Sequence, residues 1–466
     1  MAAALKPVLI IGAGLAGCEA AWQLAARGVP VKLYEMKPAQ MTPAHHLPSL
    51  AELVCSNSLR SARLVNAVGL LKEEMRRLGS LIIACADATA IPAGGALAVD
   101  RESFSCLVTR FIQEEPLIEL ISRRIDFLPA DGLVIAATGP LTDGLLFQDI
   151  NRQLELETLH FFDAAAPIVW ADSLDNTVVF RQSRYGHGGD DYLNCPMNET
   201  EYQCFWQELV NAEKAAVHDF DRETVFEGCM PIETMAGRGQ DTMRFGPLKP
   251  VGLTDPRTGK EPYACVQLRQ DNRAASLYNL VGFQTRLTIA EQKRVFRLIP
   301  GLQQAEFARF GVMHRNTYLQ SPQVLQPDYS ARCRPELYFA GQMTGVEGYV
   351  ESASSGLIAG WQAACQALGQ TPEQRMNQVP SDQTVIGSLA RYVSDAKVKH
   401  FQPMNANFGL VADLAERYRR KELKLQALAD RSLAEIDRLA QTSPDITAIR
   451  LQLFHKADRI DLSQIP

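Results

Sequence analysis

What this chain lacks narrows its class before any motif is read. It has no apolar run near the roughly 18 to 20 residues that a membrane-spanning helix requires; its apolar stretches are strand-sized, although 46% of its residues are apolar. No membrane association is expected. The N-terminus has neither the basic region nor the cleavage site of a secretory leader, since the apolar run at Val8 leads straight into a glycine turn, and a cytoplasmic protein is expected. None of the ten cysteines forms a C-x-x-C pair, so neither a zinc site nor a disulfide framework is indicated. Most read as small buried hydrophobes. There is no excess of positive charge: the formal net charge is −6, so a nucleic-acid partner must be met by a local basic face. Internal repeats and low-complexity segments are absent as well, and 466 residues suffice for two or three domains with large cores.

The chain is organised around Pro7 to Glu35, PVLIIGAGLAGCEAAWQLAARGVPVKLYE, a complete strand-turn-helix-strand unit. After the apolar run Val8 to Ile11, Gly12, Gly14 and Gly17 fall in G-x-G-x-x-G spacing. The first glycine permits the tight turn, the second lets a pyrophosphate approach the backbone, and the third lets helix and strand pack closely. Ala13, Leu15 and Ala16 complete the turn and open an alanine-rich helix, from about Leu15 to Ala26, whose N-terminal amides and dipole favour an anion. Gly28 stops that helix. The second strand, Val31 to Tyr34, ends at Glu35, where such units bind a ribose hydroxyl. A dinucleotide is expected; the spacing does not choose between FAD and NAD.

Two later elements have the same build. Asp131 to Pro140, DGLVIAATGP, reads as a buried strand ending in Ala-Thr-Gly and offers Thr138 and Gly139. Glu336 to Ala340 is a strand running into GQMTGVEGYVESASSGLIAGWQAA, a glycine-rich turn and small-residue helix that offers Gly341, Glu347, Gly348, Tyr349 and Ser352 to the second half of a flavin cofactor. Three strand-to-glycine elements at the two ends of the chain imply an α/β, Rossmann-like FAD-binding domain that is discontinuous. We expect it to comprise residues 1–150 and 321–466, including a helical extension from about residue 377, with residues 151–320 as an inserted α+β domain. The insertion is richer in aromatics and alternates in PIVWA and NTVVF, as an antiparallel sheet with some helices would.

Cys55, in ELVCSNSLR, precedes Ser56, Asn57 and Ser58, which read as helix caps; a thiol beside a helix N-terminus can be activated. A helix is expected from Asn66 to Leu78, a strand over Ser80 to Ala84, and another helix capped by Asp100 or Ser103. Cys229 lies between Gly228 and Met230 with Pro231 behind it, a stiff loop that can present a thiol. For both cysteines the spacing equally allows a buried structural role. Between Arg269 and Arg297 basic residues exceed acidic ones by four, which suits phosphate contacts or a solvated helix face. ERYRRKELK opens a long helix expected from about Asp413 to Gln441, and the residues after Ser443 carry no motif.

The peptides GAGLAGCEAAWQLA, MTPAHH, ELVCSNSLR, NAVGLLKEEMRRLGSLI, IPAGGALAVDR, GGDDYLNCPM, FGPLKPVGLTDPRTGKEPYACVQLRQ, GVMHRNTYL, GVEGYVESA and FQPMNANFGL, in this order from about Val8 to Leu425, closely resemble one family. It is the family of folate- and FAD-dependent tRNA (uracil-5-)-methyltransferases, TrmFO. The chain departs from that pattern at Leu47 and Pro48, after MTPAHH, and in a longer C-terminal tail. The resemblance implies transfer of a one-carbon unit from 5,10-methylenetetrahydrofolate to a T-loop uridine of tRNA, with FAD as carrier and NADPH or NADH as reductant. It assigns Cys229 as nucleophile and Cys55 as its assistant, and it places His314 and Tyr349 near the flavin and folate rings.

The chemistry explains why these parts are needed. Carbon 5 of uracil is too weak a nucleophile to take up a methylene group until a thiolate has added at carbon 6, so an activated cysteine is required. Flavin, folate and base must be placed within reach of one another. A base must then remove the proton from carbon 5; Cys55 is the candidate, with Glu347, Glu351 and water as alternatives. The uridine must be splayed out of the tRNA elbow, and Arg286, Lys397 and Lys399 are candidates to hold the backbone. An rRNA uridine-5 methyltransferase of the same family, the related flavoprotein of the wobble uridine, a non-catalytic RNA-binding flavoprotein and an NAD-dependent small-molecule oxidoreductase are the rival readings. No second G-x-G-x-x-G marks a nicotinamide site, and no stable protein partner is inferred.

Overall fold

Two sheets of opposite character carry the chain. A computed structural model describes residues 5–42, 44–155, 159–186, 189–215, 230–398 and 400–457, with the backbone alone described at 159–163, 314–315, 444 and 454–457. The first sheet has five parallel strands in the spatial order Leu337–Phe339, Val134–Ala136, Val8–Ile11, Val31–Glu35, Ile118–Ser122. The strand before the glycine turn is therefore central, with Ile10 between Leu33 and Ile135. Parallel strands need apolar residues on both faces; Val8, Ile10, Val134, Ile135, Leu337 and Tyr338 are all fully buried. Sequence segments 200 residues apart thus share one sheet edge to edge, as the three strand-to-glycine elements require.

The helix after the glycine turn, Leu15–Ala25, lies against a second long helix, Tyr349–Ala367. Small residues set their spacing. A Cβ on Gly356 would sit 2.2 Å from the Ala16 carbonyl oxygen, and one on Gly360 2.6 Å from Ala20 Cα. This contact brings the two helix N-termini side by side over the carboxyl ends of the central strands, where open α/β sheets bind ligands.

Some local expectations give way to tertiary structure. Ser80 to Ala84 is not a strand: Ser80 caps the helix Leu81–Ala88, and buried Glu19 accepts from the Ser80 hydroxyl and the Leu81 and Ile82 amides. Ser56 to Ser58 cap no helix but lead into the short strand Ser58–Ser61, antiparallel to Ala96–Val99. Asp100 does cap Arg101–Gln113, accepting the Ser103 amide at 2.9 Å.

The second sheet has six antiparallel strands, in the order Phe180–Arg181, Tyr192–Met197, Ala264–Gln270, Leu277–Leu280, Ile168–Trp170, Phe307–Arg309. It packs a separate core around Tyr202, Phe205, Phe283 and Phe296. The chain crosses to it along Leu159–Ala164 and returns along Met313–Tyr318, and these two strands pair with each other.

The C-terminal helix Lys421–Thr442 begins eight residues later than its pattern suggested and packs on Ala67–Arg77. Glu74 locks this junction. Fully buried, it accepts the Val385 and Ile386 amides at 2.8 Å each and the Ser432 hydroxyl. The motif-free tail forms a further helix, Pro444–Ala457, buried through Ile446 and Ile449 and tied by Asp445 to Arg27 at 2.7 Å.

Candidate active site

A cavity of about 600 Å³ opens over the carboxyl ends of the parallel strands. That is ample for a flavin nucleotide. Both long helices point their N-termini at it, and neither Gly14 nor Gly348, the residues at the two N-caps, supplies a side-chain cap. Their first amides are left for a ligand.

The three fingerprint glycines divide the work as their spacing implies. Gly12 has φ +97°, and a Cβ there would lie 2.5 Å from the Ala137 carbonyl oxygen. A Cβ on Gly17 would lie 1.8 Å from the Gly12 carbonyl oxygen, so Gly17 is a packing residue and does not line the cavity, whereas a Cβ on Gly14 would meet nothing within 4 Å. Glu35 ties the second strand to the turn: its two oxygens accept the Ala13 amide at 2.8 Å and the Lys37 amide at 3.0 Å. Gly12, Ala13, Gly14, Leu15, Ala16, Glu35, Thr138, Gly139, Gly341, Glu347, Gly348, Tyr349 and Ser352 all line the cavity. Open amides at one end, an acid at the strand terminus and a glycine-lined floor fit FAD.

The MTPAHH loop closes the Glu35 end, with Thr42, Ala44 and His45 on the wall. Burial, then the Lys37 charge, hold the His45 imidazole below its ordinary pKa. Buried Glu52 accepts the His46 amide at 3.0 Å and the Leu47 amide at 3.0 Å, fixing the loop.

Cys55 also lines this cavity. Its amide donates to the Tyr349 hydroxyl at 2.7 Å, as does the Ser56 amide at 3.2 Å, and its thiol faces the Ala164 carbonyl at 3.8 Å. Tyr349 is thereby an anchor for the cysteine loop. Burial, with the Cys55 charge second, pushes the Tyr349 phenol above its ordinary pKa, so it stays protonated.

Sequence reasoning missed Arg60. It lines the cavity with φ +62°, a strained region for a non-glycine residue. Buried Lys72 holds it there, donating to the Leu59 and Ser61 carbonyls at 2.7 Å each, while the Arg60 guanidinium pairs with buried Glu351. Burial, and then the Arg60 charge, pull the Lys72 ammonium down to about 7. Arg269 also lines the cavity, and entered the sequence reading only as part of a basic run. The usable signal was its place in YACVQLRQ, a strand buried along nearly its whole length.

Other expected residues are not gathered here. The Arg286 amide donates to Glu233 at 2.9 Å, and Arg286 is absent from the cavity wall. Lys397 is exposed and also off the wall, its amide donating to Asp395 at 2.9 Å. His314 lies on the returning strand, but its side chain is outside the described residues, as are Cys229 and Lys399.

Comparison with known proteins agrees with this geometry. The family described as glucose inhibited division protein A matches residues 7–371. A relative from Acetivibrio thermocellus, named methylenetetrahydrofolate-tRNA-(uracil-5-)-methyltransferase TrmFO, is 60% identical over 91% of this chain and 96% of its own length. One of the same name from Lacticaseibacillus paracasei is 59% identical over 93% of this chain and 97% of its own. The solved structure of Aquifex aeolicus GidA superposes with a TM-score of 0.65 at 16% identity, covering 98% of this chain and 77% of that one, a likeness of fold alone. At 59–60% identity over more than nine-tenths of both chains with these relatives, and with a family model matching residues 7–371, this chain belongs to the TrmFO family of methylenetetrahydrofolate-tRNA-(uracil-5-)-methyltransferases.

Proposed function

We infer that this protein methylates carbon 5 of a T-loop uridine in tRNA, drawing the carbon from 5,10-methylenetetrahydrofolate and electrons from NADPH or NADH. One observation carries the reading: Cys55 lies on the wall of the same cavity as the glycine fingerprint, in a chain 56–60% identical to relatives of that activity's name. When bound, FAD supplies reducing equivalents and a carrier for the one-carbon unit. The residues to hold it are Gly12, Ala13, Gly14 and Leu15 at the pyrophosphate, Glu35 at the ribose, and Thr138, Gly139, Gly341, Glu347, Gly348, Tyr349 and Ser352 along the floor.

In this reading Cys229 adds to carbon 6 of the uracil, which makes carbon 5 nucleophilic. Cys55, fixed by Tyr349, takes the proton that carbon 5 must lose. We further propose that residues 1–150 and 321–466 form the flavin domain and 151–320 the insertion, that Arg286, Lys397 and Lys399 contact tRNA phosphates, that His314 meets the folate, and that the protein works in the cytoplasm. No described helix is long and apolar enough to cross a membrane.

The test is incubation with methylenetetrahydrofolate, NADPH and unmodified tRNA, then nucleoside mass analysis. Formation of 5-methyluridine is expected, and its absence from a flavin-loaded preparation refutes the reading. Cys229→Ala is expected to retain FAD yet form no covalent RNA adduct; near wild-type methylation by that variant moves the nucleophile elsewhere.

A further inference from the structure

The Cys55 loop is gripped from two sides, and one of them is charged. On the parallel-sheet side the grip is the neutral Tyr349 hydroxyl. From the antiparallel sheet Arg269 reaches in: Nε donates to Asn57 Oδ1 at 3.0 Å, and Nη2 to the Ser56 hydroxyl at 2.7 Å and to Asn279 Oδ1 at 3.4 Å. All three acceptors are uncharged. Arg269 is 8% exposed, and among the described residues no carboxylate lies within ion-pair distance of it. The acid two residues on, Asp271, is committed to Arg101 at 2.8 Å, and Arg101 donates in turn to the Leu53 carbonyl. Behind residues 53–58 there are thus two guanidiniums, and among the described residues the one carboxylate near them pairs with Arg101 alone.

A buried charge without a partner costs several kcal/mol, of order 3 or more. A fold retains one where an anion comes to face it. Among the described residues Arg269 Nη1 has no hydrogen-bond partner, yet it is not sealed from solvent, and Arg269 lines the same cavity as Cys55. Among the described residues, Tyr349 from the long helix, Arg101 from its own helix and Arg269 from the strand are each electrostatically coupled to Cys55, and the carbonyl facing the thiol is that of Ala164. Two of these three groups are cations.

We propose that Arg269 is a positioning residue for the methyl transfer: it fixes the cysteine loop from the inserted half and supplies the unbalanced positive charge against which the Cys55 sulfur is held as a thiolate. In the proton step the carbon 5–hydrogen bond breaks, the proton goes to that sulfur and the electron pair remains with the pyrimidine. The step rests on the functional reading above; the charge on Cys55 does not.

The experiment is iodoacetamide alkylation of the FAD-loaded protein across pH, with the Cys55 peptide quantified by mass spectrometry. Wild-type Cys55 is expected to react with a midpoint at least one unit below the roughly 8.5 of a free thiol. Arg269→Gln is expected to raise the midpoint by a unit or more, cutting the rate at pH 7 about tenfold, and Arg269→Lys, which keeps the charge but loses the three-bond fork, to fall between Arg269→Gln and wild type. Retained FAD absorbance and an unchanged melting temperature show that each variant is folded. A wild-type midpoint at or above that of a free thiol overturns the proposal, as does an unchanged midpoint in Arg269→Gln; the first result decides the matter even if the glutamine variant does not fold. Alkylation as expected, in a protein that makes no 5-methyluridine, would leave this inference standing and remove the functional one.

Discussion

The two ends of the cavity are built by different means. At the Glu35 end the working parts are backbone amides, missing side chains and one carboxylate, all within 24 residues of chain. At the Cys55 end the working parts are side chains that converge from far apart: Tyr349 is 294 positions from Cys55, and Arg269 is 212 from the Asn57 it holds. The first kind of site is preorganised by local geometry and forms wherever the turn forms. The second exists only when both halves of the fold are assembled. The nucleotide-binding turn therefore lies within the parallel half, while the Cys55 loop is also held by contacts from the other half.

That contrast can be broken or sharpened experimentally. The largest effect is expected from Arg101→Met, which leaves Asp271 buried without its cation and should lower unfolding free energy by about 3–5 kcal/mol. Urea denaturation measures it, and a loss below about 1 kcal/mol would mean that the charged grip is incidental. Gly17→Ala forces a methyl against the Gly12 carbonyl; overpacking of about 1–3 kcal/mol is expected, concentrated in the turn, so FAD titration of the apoprotein should show affinity weakened at least tenfold. Tyr349→Phe removes the acceptor of two amides at the other end. Methylation should fall by about tenfold, in line with roughly 1–3 kcal/mol for stranded donors, while FAD affinity, which the ring and backbone of residue 349 serve rather than its hydroxyl, stays nearly constant. Equal loss of both functions would erase the distinction between the ends.

The smallest effect is a pH dependence at the C-terminal junction. Burial pushes the Glu74 carboxyl up to about 7, well above its unfolded value. A raised folded pKa makes the contribution complete below the unfolded value, near 4.5, and lost as pH rises through about 7. Wild-type melting temperature should decline across that window, and Glu74→Gln should flatten the decline. Parallel curves for the two proteins would place the titrating group elsewhere.

Legibility in the sequence follows the same division. Gly12, Gly14, Gly17 and Glu35 were readable because their roles are fixed by spacing along a few turns of chain, and the parallel sheet followed from the three strand-to-glycine elements. Ser80 to Ala84 reads as a strand from sequence because its apolar, β-branched run hides a helix whose first amides are satisfied by Glu19, more than 60 positions earlier. Arg60 was not legible as a site residue, since nothing local distinguishes an arginine that folds inward from one on a solvated face, whereas Arg269 carried a signal only in the apolar strand around it, which a count of basic residues passes over. The longer tail carried no motif because it docks by ordinary apolar packing, through Ile446 and Ile449.

The crossing ladder has a last consequence. Because the chain departs along Leu159–Ala164 and comes back along Met313–Tyr318 in antiparallel register, Leu159 sits opposite Tyr318, so the stem of the whole excursion is only one strand spacing wide, about 5 Å. The excursion is in effect a cassette on a hairpin stalk: replaced by a tight two-residue turn, it would leave a nucleotide-binding remnant whose ends already meet, and the same stalk offers a ready splice point for fusing a different recognition module onto this flavin platform.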